Sequence, residues 1–164
     1  MKAENQQTQS VFCMIFLPNR SMMLFPFTKN QLLNGNLHDE NLSEYVADAL
    51  NSLNKGYFRD IIVYSTKLKL GKGQPDEIII PSIGKSNGIL ITKDLNIHRT
   101  RLQYQLCEAY KIGIFFLKMQ KGMDKHWEIV KLLINSWEEI LEKISKESRP
   151  FGYEIPIRGK MKKL

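Results

Sequence analysis

From Asn41 onward the apolar positions of the chain switch between two periods. In NLSEYVADALNSLNK, Leu42, Val46, Leu50 and Leu53 recur at threes and fours, one stripe of a helix with Ser43 as its cap. DIIVYST, residues 60–66, is β-branched and aromatic and runs into KLKLGKGQ, which predicts a strand and then a loop. PDEIIIPSIGK puts Pro75 at a first helical position. Asp76 and Glu77 follow, where the helix dipole favours negative charge, and Pro81 is expected to divide or shorten this helix. GILIT reads as a strand, RTRLQYQLCEAY as a helix through Leu102, Leu106 and Ala109, and IGIFFLK as another strand. Between residues 124 and 146, Trp127, Val130, Ile134, Trp137, Leu141 and Ile144 mark a long amphipathic helix capped by Asp124, with the stripe read as core. The ending RPFGYEIPIRGKMKKL reads as an irregular or extended tail. Two earlier apolar runs, 11–17 and 22–27, are too short to span a bilayer and read as an extra strand or packing surface. The order βαβαβαβ predicts an α/β fold, a mainly parallel central sheet with helices on both faces.

Composition narrows the class. With 164 residues, 43% hydrophobic and 25% charged, the chain has the make-up of one soluble domain with a single packed core. The formal net charge of +7 and pI near 9.4 favour a polyanionic partner such as nucleic acid. Cys13 and Cys107 lie far apart and have no His or Cys at metal-ligand spacing. They read as two buried thiols of a reducing compartment, against a disulfide scaffold or a zinc site. The polar start MKAENQQTQS lacks the layout of a signal peptide, so a cytoplasmic protein without a membrane anchor is expected. There is no internal repeat and no low-complexity linker.

Chemistry enters through the acids. A parallel sheet places its working site beyond the carboxyl ends of its strands. Asp94 stands there after GILIT, Asp39 does so if LLNGNLHDEN contains the first strand, and Asp76 enters from the start of the helix after the second strand. Taken singly, each aspartate is most simply a cap or a solvated turn residue. Three converging carboxylates repel one another, however, and such a cluster points to a hard divalent cation, Mg²⁺ or Mn²⁺. Lys93, His98, Arg99 and Arg101 flank Asp94 and could contact phosphates; the alternative is a solvated basic face.

The sequence of blocks resembles the PIN-like nucleases, in particular the branch related to VapC-type toxins. The resemblance rests on an acidic DEN-L ahead of the first helix, PDE opening the second, GILITKD with basic residues after it, GIFFLK, a Trp-bearing helix, and the ending PFGYEIPIRGK. It implies a three-layer PIN-like domain over residues 31–164, basic tail included, preceded by an extension, 1–30, that it does not explain. It further implies a metal-dependent ribonuclease, often the toxin of a toxin-antitoxin pair, using Mg²⁺ or Mn²⁺. Asp39, Asp76 and Asp94 match the catalytic, metal-binding acids. Glu40 and Glu77 could supply a further carboxylate, Glu77 as a fourth ligand, and a helix-dipole or solvated role is the alternative for both. The Thr92 hydroxyl would steady the end of its strand. RNA contacts would come from Lys93, His98, Arg99, Arg101, Arg158 and Lys160, with Lys162 and Lys163 adding charge to the tail. The partners implied are RNA, an antitoxin encoded by a neighbouring gene, and a second copy of the chain. One departure matters: NGNLH stands where the family has an apolar strand before its first Asp. That keeps open a binding or regulatory module without turnover, and a nuclease acting on DNA stays open too, because basic patches do not distinguish the sugars.

Overall fold

The computed structural model describes residues 13–16, 44–58, 61–71, 73–93, 101–120, 122 and 125–164, with the backbone alone for 13–16 and 101–104. The elements are β1 Cys13–Phe16, α1 Glu44–Asn54, β2 Ile62–Ser65, α2 Thr66–Leu70, α3 Asp76–Lys85, β3 Ile89–Thr92, α4 Arg101–Ala109, β4 Gly113–Lys118, α5 His126–Lys146, β5 Phe151–Pro156 and β6 Lys162–Lys163.

One sheet runs in the order β2-β1-β3-β4-β5-β6. β3, β4 and β5 pair in parallel, and β1 is antiparallel to both β2 and β3, so β2 to β5 all point the same way. β6 returns antiparallel along β5. Side chains of a strand alternate between faces, and here the two faces feed two cores. Ile89, Ile91, Phe115, Leu117, Phe151, Tyr153 and Ile155 pack under α1 and α5, while Leu90, Ile114 and Phe116 pack under α3 and α4. The expected α/β architecture, a mostly parallel sheet flanked by helices, is the one observed.

The run 11–17 contributes β1, the extra strand expected of it, inside the sheet. Several other local expectations are corrected. The second strand is shorter than 60–66, because Thr66 opens a one-turn helix, α2, where a loop was expected. α3 runs through Pro81 unbroken. A proline at the sixth helical position removes only the bond to the carbonyl of residue 77. Burial of Ile79, Ile80 and Ile83 to 5% exposure or less holds the helix to the sheet regardless. The expected tail is β5, whose alternation of buried Phe151, Tyr153 and Ile155 is a plain strand period.

The helix stripes also rotate. On α1 Leu53 is exposed while Ala47 and Asn54 are buried, and on α4 Cys107 is buried while Ala109 is exposed. On α5 Trp127 and Ile134 are exposed, and Ile129, Leu133 and Ile140 take the core positions beside Val130, Trp137 and Ile144. The cap position of α5 is Lys125, and Asp124, like Leu42 and Ser43, lies outside the described residues. Asn54 earns its buried place through polar contacts. Its Oδ1 accepts from Trp137 Nε1 at 2.8 Å and its Nδ2 donates to the Ile61 carbonyl at 3.2 Å, tying α1, α5 and the entry to β2 together. At the other corner Arg149 Nη1 donates to the Asn87 carbonyl and side chain at 2.8 and 2.6 Å, clasping the starts of β3 and β5.

Candidate active site

The ends of β2, β3, β4 and β5 lie on one side of the sheet, and α3, α4 and α5 begin there. The start of α1 is fastened to the same side, since Lys67 of α2 reaches Glu44 of α1 at 3.1 Å. Residues 39 and 40 stand just before this helix in the chain.

At this end the apolar strands finish on polar groups that are nonetheless buried. Ser65 closes β2 at 4% exposure, Thr66 opens α2 at 3%, Thr92 closes β3 at 0%, and Asp76 opens α3 at 8%. Burying hydroxyls and a carboxylate costs free energy unless they are satisfied, so hydrophobic folding alone does not select these residues. The Ser65 hydroxyl has no hydrogen-bond partner among the described residues. Pro75 precedes Asp76 with extended backbone and its carbonyl accepts from the Ile78 and Ile79 amides, which starts α3 abruptly and leaves Asp76 in the first turn. The positive end of the helix dipole favours the anionic form there. Its charge is felt across the α3/α4 packing: burial first, and the Asp76 carboxylate second, push the Cys107 thiol up to about 12. Glu77, one position on, is exposed and stands on a different side of the helix from Asp76.

The basic groups fall into two sets. Lys69 lies 4.1 Å from the centre of the Tyr64 ring, and burial lowers its pKa. Lys118 pairs with Glu154 at 2.9 Å, and Lys163 donates to Glu147 at 2.6 Å, so these two are engaged in the fold. Lys93 is half-buried directly after β3, whereas Arg158 and Lys160 are exposed on the turn that follows β5. Asp39, Asp94, His98 and Arg99 lie outside the described residues, and Arg101 begins α4 with its backbone alone described. Among the described residues no three His, Cys, Asp or Glu side chains are grouped as metal ligands. Of the predicted site residues the described structure therefore brings Asp76, Glu77, Thr92, Lys93, Arg158 and Lys160 to one end of the sheet. It adds Ser65 and Thr66, whose signal in the sequence is a pair of hydroxyl residues closing a β-branched run.

A family model described as a PIN like domain matches residues 36–119, just over half of the chain. The chain belongs to the PIN-like domain family. No curated protein and no solved structure matches. The matched stretch holds Asp39, Asp76 and Asp94 together with the ends of β2 and β3, and it stops before α5 and the basic turn. PIN-like domains are generally nucleases, hydrolases that typically use divalent metals. No helix among the described residues is long and apolar enough to cross a membrane.

Proposed function

We propose that the chain is an Mg²⁺- or Mn²⁺-dependent endoribonuclease whose site is the carboxyl end of the sheet. The observation that carries this reading is Asp76: a buried carboxylate at a helix start, on the side of the sheet where β3 ends two residues before Asp94. The donors at that end, the Asp76 carboxylate and the unsatisfied Ser65 hydroxyl, are oxygens, the ligand type that hard cations take. In this reading Asp76, Asp39 and Asp94 hold the cation, with Glu77 the candidate for a further oxygen. When bound, it supplies a lowered pKa for a coordinated water and offsets charge building on the phosphoryl oxygens. The carboxylates act as ligands and need not take a proton. Lys93, His98, Arg99 and Arg101 hold the phosphates on either side of the scissile bond, and positioning of this kind is worth as much to phosphoryl chemistry as any proton transfer. Thr92 fixes the end of β3, so that Asp94 starts from a rigid point.

We further read the chain as the toxin of a toxin-antitoxin pair acting in the cytoplasm. Its protein partner would then be an antitoxin encoded by an adjacent gene, and a gene for a small helix-turn-helix or ribbon-type protein beside this one would support that. The activity is tested by incubating the purified chain with unstructured RNA, structured RNA and single-stranded DNA, with Mg²⁺ or Mn²⁺ and with chelator. Cleavage of RNA that needs the metal is the expected result. Equal cleavage with chelator would sink the metal-dependent reading, and cleavage of DNA alone would move the substrate.

A further inference from the structure

We propose that Trp127 is a stacking platform for an unpaired base of the nucleic-acid strand that crosses the carboxyl end of the sheet, an inference that rests on the nuclease reading. α5 buries seven residues, from Ile129 to Ile144, yet Trp127, the second residue of the helix, is 67% exposed. Its only ring neighbour among the described residues is His126, lying nearly parallel to it at 21° with 6.5 Å between centroids, so two adjacent aromatic faces open to solvent.

Placement gives the ring its partner. α5 follows β4, so its first turn, with Trp127, stands at the same end of the sheet as Thr92, on the opposite face from α3 and Asp76. Between the first half of α5 and the turn after β5 lies an open cleft of about 290 Å³. Lys131, which stands one helical turn from Trp127 on the same stripe, lines it, as do Glu128, Glu139 and Gly159. Lys131 neutralises Glu128 at 3.1 Å. Lys125 precedes the aromatic pair in the chain, Arg158 and Lys160 flank Gly159 of the lining, and all three are exposed, so exposed cations stand at this end of the sheet, with Glu128 and Glu139 the acids of the cleft. An exposed indole with exposed lysine and arginine side chains at the same end of the sheet is the combination that holds single strands: cations follow the phosphates, and the aromatic face takes a base of any sequence. A duplex, with its bases already stacked, has no free base to offer.

The chain has two tryptophans, and Trp137 is buried and hydrogen-bonded, so solvent-exposed emission reports Trp127. The test uses the full chain with a short unstructured oligouridylate in chelator, where nothing is cut. Binding should quench the red, acrylamide-accessible part of the emission. Trp127→Ala should weaken the affinity about fivefold to a hundredfold, and Trp127→Phe should recover most of it. Duplex RNA should bind the parent and the Trp127→Ala variant equally. An oligouridylate affinity unchanged by Trp127→Ala, with the emission unquenched, would overturn the proposal even if metal-dependent cleavage is found. So would a Trp127→Ala variant that turns a dimer into a monomer and leaves RNA affinity intact, because the ring would then serve self-association. Quenching without any cleavage supports the platform while removing the nuclease reading, so the two failures are told apart.

Discussion

Asn54 and Cys107 are polar or titratable residues enclosed by apolar neighbours, and each leaves a measurable mark. Asn54→Ala would strand the buried Trp137 indole N–H, which otherwise donates to Asn54 at 2.8 Å. Leaving such a donor unsatisfied costs about 1–3 kcal/mol, so the urea midpoint should fall with the slope unchanged; an unmoved midpoint would mean that water replaces the lost acceptor. Cys107 acts through pH. Its thiol is held protonated up to about 12, against an ordinary value of 9.0. Tyr153 is likewise raised to about 12, first by its hydrogen bond to Glu147. Between the unfolded and folded values the native state keeps a proton that the unfolded chain has lost, so stability is full below about 9 and falls as pH rises toward 12. Melting temperatures across that window should drop less steeply for Cys107→Ala than for the parent, and identical slopes would show that the thiol does not contribute. The same residues show how far side-chain chemistry could be read from the string. PDE announced Asp76 through helix-start chemistry, whereas nothing local marks Asn54 as core, because its acceptor role exists only once Trp137 arrives from a helix 83 positions away.

Elements with a strong period were legible, and their neighbours were not. α1, β3, β4 and α5 follow from apolar spacing, since each carries a face that must be buried, and α3 from its start, a proline followed by two acids. The placement of β1 between β2 and β3 does not follow, because the run 11–17 is compatible with any sheet position and its register is set by long-range pairing. β5 had its signal in the alternation of Phe151, Tyr153 and Ile155, but Gly152 and Pro156 dilute it. The buried stripe of α5 starts only at Ile129 and leaves Trp127 exposed, an offset that threes-and-fours counting cannot see. Pro81 belongs at this scale as well. α3 tolerates it at the cost of one backbone bond, so Pro81→Ala should restore that bond and stabilise the protein by about 1–3 kcal/mol. A lower denaturation midpoint for the variant would mean that the ring packs more favourably than the bond it removes.

For the molecule as a whole, the net charge of +7 is unevenly engaged. Lys163 is tied to Glu147 at 2.6 Å and the Leu164 amide donates to the Gly152 carbonyl at 3.0 Å, so cutting the chain after Ile157 would remove β6 from the sheet as well as charge. Replacing Arg158 and Lys160 together by Ala is the cleaner change. If both meet phosphate, the salt dependence of RNA binding should flatten by roughly 0.7–0.9 in logarithmic slope per residue, with melting unchanged; an unaltered slope would assign the turn another role. The central claim, that a cation held by Asp76 and its companion acids makes this end of the sheet a nuclease site, is tested most directly by Asp76→Asn. The change keeps shape and hydrogen-bonding capacity and removes the charge that a divalent ion needs. Thermal melting of parent and variant is followed with and without Mn²⁺, beside RNA cleavage in the same buffer. A ligand that binds only the folded state stabilises it by about 2.7 kcal/mol at a hundred times its Kd, so the parent should melt several degrees higher with Mn²⁺. The variant should stay folded, lose that rise and lose cleavage. A variant that cleaves at the parent rate and keeps the same metal-induced rise would contradict the account and put the site elsewhere.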